Sequence, residues 1–350
     1  MTYKGTVCFA AVEMVSKTEM NYLVALNAAS QGSTMSLLQR NGNHLDPKPL
    51  EKLEKFITGG ASNHAAIQGA VFSQILGKFL VYNENSLRIA DLAGKTDNLY
   101  PQELNNGESL ANVNRGKKQV YLYKNMVYFM TSSPPGFTGI DLETLVPLDE
   151  IYPLESFDSA LEFTFLGKDQ HYQQMKFSYH FNSDTISNPK FFYCTRNLKV
   201  TEYDINADGK RCRKGESYFL PSQYEWNPSS FAVHPVYLAW SEMGPKASRR
   251  ICVVKRRDIK SVFTTELIAE GNGIQELVFV DGKHHTFVFA IGAFSYLYSF
   301  SINKGSIQQV SQPFKVGNYQ ILGSQFYRRQ DKWVFLIFGD YIFTEVFLKI

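Results

Sequence analysis

Apolar and polar positions along this chain repeat one unit: a continuous apolar run, a short polar break, then a second run that tends to alternate. Tyr22-Leu23-Val24-Ala25-Leu26 breaks at NAASQGS and resumes as Met35-Ser36-Leu37-Leu38. Phe79-Leu80-Val81-Tyr82 breaks at NENS and resumes as Leu87-Arg88-Ile89. The unit returns at Val127-Tyr128-Phe129-Met130 with Ile140-Asp141-Leu142, and at Phe191-Phe192-Tyr193-Cys194 with residues 198–204. It returns again at Val236-Tyr237-Leu238-Ala239-Trp240, at Phe287-Val288-Phe289-Ala290 and at Trp333-Val334-Phe335-Leu336-Ile337. A run buried on both faces is continuously apolar and a more peripheral strand alternates, so each copy reads as a hairpin of an inner and an outer strand.

Seven copies follow one another at spacings between about 45 and 64 residues, near or somewhat above the period of a propeller blade. Further apolar segments, Ala160 to Leu166, Phe231 to Val233 and Glu276 to Val280, precede several copies and supply another inner strand. The pattern predicts an all-β chain: a seven-bladed β-propeller of four-stranded blades. Both ends of the chain read as strands, residues 6–12 and the stretch ending TEVFLKI at residue 350, and the expectation is that their pairing closes the ring and protects the final edge.

The segment NENSLRIADL resembles the end of a WD repeat, with Asp91 in the aspartate position and Ala90 where the tryptophan would stand. NLKVTEYDI, with Asp204 after Tyr203, resembles a second such ending, and Ile140-Asp141-Leu142 a third. The resemblance implies a WD-like propeller, and Asp91 reads as a structural hydrogen-bonding residue.

Residues 1–350 are expected to form a single domain. PLEKLEKFI, followed by Gly59-Gly60, puts Leu50, Leu53, Phe56 and Ile57 on one face and predicts a short helical insertion near 46–58. Long connectors are expected near 143–159 and 206–229, where binding usually resides on a rigid β scaffold. The uncharged stretch Thr286 to Ile302 is too short for a membrane span and reads as two strands with a turn at Gly292.

Composition narrows the chemistry. The chain carries 27 Phe and 20 Tyr, a β-favouring excess, and a net charge of only +3, so an electrostatic case must rest on local clusters. Cys8, Cys194, Cys212 and Cys252 are scattered without a C-x-x-C pair, which suits a reducing compartment. The N-terminal stretch has no small-residue cleavage site, so no secretory signal is expected and the reading is intracellular, cytoplasmic or nuclear.

Gly94-Lys95-Thr96 lacks the glycine that a phosphate-binding loop places five positions earlier, where Ile89 stands. Asp204, Asn206, Asp208 and Gly209 match half of a calcium loop, but Gly215 stands where the closing glutamate belongs, and four cations crowd the rest. That segment reads as an Asn-Ala-Asp-Gly hairpin turn. Adjacent His284 and His285 would point to opposite faces of a strand and could not readily share a metal, so DGKHH reads as a polar turn between strands, and no Gly-x-Ser-x-Gly elbow occurs. No catalytic residue, metal ligand or cofactor is assigned, and no enzyme activity is expected.

The positive signal is basic. Lys210, Arg211, Arg213 and Lys214 lie in one connector, and Arg249, Arg250, Arg256 and Arg257 in the next copy, so adjacent blades could join them. Phe137 in SSPPGFTG and Trp226 in YEWNPSSF are candidate aromatic anchors. The function this supports is a protein-interaction scaffold or adaptor, with an acidic partner or nucleic acid as the alternative ligand of the basic region.

Overall fold

The computed structural model describes residues 6–12, 22–29, 32–41, 44–52, 69–73, 76–82, 87–91, 95–100, 120–132, 134–155, 160–166, 179–180, 189–222, 225–266, 268, 273–292, 296–303, 305–318, 321, 323–329, 332–339 and 342–348. The chain divides into two compact units. One comprises Met1–Phe157, Asp169–Lys176 and Leu322–Lys349, the other Asp158–Lys168, Phe177–Ile321 and Ile350.

In the first unit β1 (Thr6–Val12), β2 (Tyr22–Ala29), β3 (Gly32–Asn41) and β4 (His44–Lys52) form an antiparallel sheet in chain order. A second sheet follows in β5 (Gly69–Ser73), β6 (Lys78–Tyr82), β7 (Leu87–Ala90) and β8 (Thr96–Tyr100). A third has β9 (Val120–Tyr123), β10 (Met126–Ser132) and β11 (Pro135–Asp141), with short β12 (Val146–Pro147) and β13 (Tyr152–Pro153) both on the outer side of β11.

The second unit opens with β14 (Ala160–Leu166), β15 (Tyr179–His180), β16 (Lys190–Thr195), β17 (Lys199–Ile205) and β18 (Cys212–Phe219). Its first sheet has the order β14-β16-β17-β18. The next is β19 (Asn227–Val233), β20 (Tyr237–Met243), β21 (Arg249–Lys255) and β22 (Asp258–Thr264), again in chain order. The last is built on β23 (Ile274–Asp281), β24 (Thr286–Gly292), β25 (Tyr296–Asn303) and β26 (Ser306–Gln309). There β27 (Phe314–Lys315) also pairs with β25, and β15 pairs parallel with β23. The chain then returns to the first unit with β28 (Gly323–Arg329), β29 (Lys332–Gly339) and β30 (Ile342–Leu348).

Among the described residues the strands thus form seven sheets, and each of the seven run-break-run copies supplies the second and third strands of one of them. The physical reason is burial: Phe79, Leu80 and Val81, or Leu238, Ala239 and Trp240, lie in a strand flanked on both sides and are wholly excluded from water. A bulge recurs in the first strand, between Ala160 and Glu162, Pro228 and Ser230, and Ile274 and Glu276. In the second unit, Phe192, Val233, Trp240, Val254, Phe279 and Phe300 belong to one continuous apolar core.

Three expectations are corrected. His44–Lys52 is a strand where a helix near 46–58 was expected; residues 53–58 lie outside the described residues. Pro47 and Pro49 explain it: neither has an N–H to give, and among the described residues β4 pairs only with β3, so it is an edge on which proline is tolerated. The connector expected at 206–229 contains the outer strand β18, and the one at 143–159 contains β12 and β13. The termini do not pair among the described residues: β1 is the first strand of its own sheet, and β30 pairs with β29.

Asp91 is the structural hydrogen-bonding residue expected, and Asp141 acts in the same way, whereas Asp204 pairs with Lys190 at 2.9 Å. Asp91 Oδ1 accepts the Lys95 N–H at 2.9 Å, and Asp141 Oδ1 accepts that of Glu143 at 2.9 Å, each closing the turn after a third strand.

Gly136 sits where β13 crosses β11, and an added Cβ would strike the Ile151 side chain and the Tyr152 carbonyl oxygen, the latter at 2.8 Å. Gly136→Ala is therefore expected to displace the 151–154 strap and cost about 1–3 kcal/mol, read as a lower urea midpoint with faster amide exchange over residues 151–154.

Candidate functional site

The two aromatic anchors proposed from the sequence are not free. Phe137 is wholly buried and stacks on Tyr152 with ring centroids 5.1 Å apart, because the β13 strap pairs Tyr152 directly opposite it. This corrects its assignment as an exposed contact. Trp226 is half-buried, packed beneath the Arg250 guanidinium at 3.9 Å, and Gly244 leaves the space its ring needs.

The basic residues divide by what they meet. Glu242, on β20, has no exposed surface, yet it is fully engaged: Arg250 donates from Nε and Nη2 at 2.9 and 2.8 Å, and Trp240 from Nε1 at 2.7 Å. The Cys252 thiol and the Ser222 hydroxyl also point to it, at 3.4 and 3.5 Å. Arg250 is thereby a structural residue, donating twice to Glu242 Oε2 on one side and stacked on Trp226 on the other.

Arg256 is held in the same manner. It lies over the Phe192 ring at 4.9 Å and donates to both oxygens of Glu202 at 3.2 and 3.3 Å. Glu202 also receives Lys190 Nζ at 2.8 Å and the Tyr218 hydroxyl at 2.9 Å, and Lys190 reaches on to Asp204 at 2.9 Å. Burial works to raise the Glu202 carboxyl, but the Lys190 hydrogen bond and the charges of Arg256 and Lys190 outweigh it and hold the group below its ordinary range. Burial and the Glu202 charge push the Tyr218 phenol far up, so it stays a donor.

The remaining cations face water. Lys210, Arg211, Arg213 and Lys214 are exposed on the β17–β18 turn and the start of β18, and Arg257 on the β21–β22 turn. Arg249, half-buried, turns to the carbonyls of Ala247 and Ser248 at 2.9 and 3.4 Å. Asp204 and Asp208, the carboxylates of the calcium-like segment, are engaged by Lys190 and by the Lys210 N–H at 2.6 Å. Gly209 holds φ at +81°, and its N–H bonds the Asn206 carbonyl at 3.0 Å, so the segment is the hairpin turn expected.

The basic residues of the 249–257 segment do not form one patch. Arg249 and Arg250 enter β21 while Arg256 and Arg257 leave it, and a seven-residue strand separates its ends by about 20 Å.

Sequence reading missed Glu202, Glu242 and His234. For the two glutamates the signal was a lone carboxylate inside an apolar strand, which demands a partner. His234 is buried; its Nδ1 accepts the Val236 N–H at 3.0 Å, which leaves Nε2 to donate to Asp281 at 3.2 Å. Burial pushes this imidazole down and the Asp281 carboxylate only partly offsets it.

No family model and no curated protein matches the sequence. Solved structures do. The crystal structure of the N-terminal domain of Nup159 is similar with a TM-score of 0.54 and 11% identity, over 98% of this chain and 96% of that one. A chain in the complex of S. cerevisiae Dbp5 with Nup159, Gle1, IP6 and ADP is similar with a TM-score of 0.53 and 11% identity, over 97% and 93%. At that identity the likeness shows the fold: an all-β, β-propeller-like arrangement of antiparallel sheets.

Two outcomes follow. Arg250→Met strands the Glu242 charge away from water and is expected to cost about 3–5 kcal/mol, whereas Arg257→Met should stay within about 0.5 kcal/mol, both read from urea unfolding. Stability should also fall with acidity in two stages. Unfolded His234 takes up a proton near about pH 6.5 while the folded ring resists it, so stability present above that pH declines as pH falls. Glu202 adds stability present above about pH 4.3 that is lost as pH drops toward its lower folded value. Urea midpoints at stepped pH check this, and in His234→Gln the first stage should flatten.

Proposed function

We propose that residues 1–350 form a single seven-bladed propeller that acts without catalysis as a protein-interaction scaffold or adaptor subunit of an intracellular complex, in the cytoplasm or nucleus. The observation that carries the reading is the separation of roles among the side chains of the second unit. Its interior cations are locked onto buried carboxylates, while its turns and outer strands display apolar side chains to water: Phe219 at 60% exposure, Phe314 at 51% and Val236 at 49%. Such residues on stiff sheets make preformed contact points that need little ordering on binding.

The structural neighbours support the same reading. In one of them Dbp5 is bound to Nup159 and Gle1, so a propeller-like chain of this kind occurs within a protein assembly. A nucleic-acid ligand is the second reading, favoured by the exposed Lys210, Arg211, Arg213 and Lys214 on one turn and strand.

The full chain, immobilised and exposed to cell extract, should retain specific proteins after nuclease treatment, with retention changing little between about 50 and 200 mM salt. Retention that vanishes with nuclease, or over that salt range, would replace the scaffold with the nucleic-acid reading.

A further inference from the structure

In the second unit the β19–β20 and β21–β22 turns share one end of their sheet, and the neighbouring sheet opens the same way. Near their starts β19 and β23 are joined by the Ser229 hydroxyl donating to the Ile274 carbonyl at 3.3 Å, and near their ends by His234 and Asp281. The two strands therefore run in the same direction, and turns 234–236, 256–257 and 282–285 emerge on one surface. Arg256 extends that surface to the preceding sheet through Glu202, which it shares with Lys190. Lys190 pairs across the ladder with Asp204, beside the 206–211 turn.

Two classes of cation meet there. Lys190 and Arg256 are neutralised on Glu202 and Asp204. Arg211, Arg257 and Lys283, one from each of three successive sheets, are exposed and make no ion pair among the described residues. The nearby carboxylates are exposed but each is tied to its own turn: Asp208 accepts from the Lys210 N–H, and Asp258 from the Ser261 hydroxyl at 2.7 Å. Val236 stands among these cations, 49% exposed and rigidly held, since its N–H bonds His234 and its carbonyl accepts the Arg256 N–H at 2.9 Å.

We propose that this surface binds an acidic peptide segment, a run of Asp and Glu side chains across Arg211, Arg257 and Lys283 with one apolar side chain seated on Val236. The proposal rests on the scaffold reading and gives its partner a chemistry. Complementary charge supplies recognition and fast encounter, and the apolar contact supplies register. A single-stranded nucleic acid would need aromatic platforms beside the cations. Phe219 and Trp226 stand at the opposite ends, where β18 finishes and β19 begins.

The test is fluorescence anisotropy of the full chain with a labelled Glu/Asp peptide carrying one central Leu, the same peptide with Ala for Leu, its Gln-substituted counterpart, and oligo-uridine. The acidic Leu peptide should bind most tightly. The double variant Arg257→Glu with Lys283→Glu should weaken it by about ten-fold or more, while Lys246→Glu at the opposite end stays within about two-fold. Val236→Asp should also weaken it and remove the preference for Leu over Ala. Unchanged melting temperatures of these variants keep the comparison clean. Equal loss with Lys246→Glu, oligo-uridine binding as tightly as the peptide, or no peptide binding at all would each overturn the proposal. If the chain still retains extract proteins while the peptide fails, the scaffold reading survives and only this surface falls.

Discussion

A carboxylate with no access to water governs the sheet that runs from Asn227 to Thr264. Glu242 sits among apolar side chains on a strand flanked on both sides, where an unpaired charge would cost several kcal/mol. Its neighbours are arranged accordingly: Trp240 turns its N–H inward, Arg250 lies flat to donate twice, and Trp226 covers the other face of that guanidinium. Gly244 is required in turn, because a side chain there would collide with the Trp226 ring at 2.7 Å. One buried charge thus fixes a turn, a tryptophan and the direction of an arginine.

Glu202 exerts the same demand one sheet earlier, but its solution crosses between sheets. Arg256 comes from the β21–β22 turn and reaches the preceding sheet, so the ion pair ties two sheets that share no ladder. On the other side a hydrogen bond from the neutral His234 ring to Asp281 also joins two sheets. Ionic groups buried in this way add little net stability over apolar packing, but they tolerate few alternative arrangements. In this unit they link neighbouring sheets, while the apolar core supplies the driving force.

The hairpins were legible in the sequence because burial leaves a direct trace: Phe191 to Cys194 or Leu238 to Trp240 cannot be so continuously apolar in an exposed strand. The outer strands were not. β18 reads CRKGESYF and is exposed along most of its length, so its composition is that of a loop and only its ladder with β17 makes it a strand. β4 was hidden by a helix-like spacing of leucines that the backbone of Pro47 and Pro49 overrides. Phe137 failed for a non-local reason, since the strap that covers it lies fifteen residues along the chain.

The candidate site was half legible, and the division follows from strand geometry. Composition located the cations, but a one-residue step along a strand turns a side chain to the other face, so Arg249 meets carbonyl oxygens while Arg250 enters the interior. No property of the letters distinguishes the two. What does distinguish them is the lone carboxylate in the facing strand: Glu242 lies directly opposite Arg250 in the ladder, and Glu202 stands within reach of Arg256. Carboxylates buried in apolar strands therefore mark which arginines belong to the fold, and removing those from the basic clusters leaves the turn cations as the residues able to meet a partner.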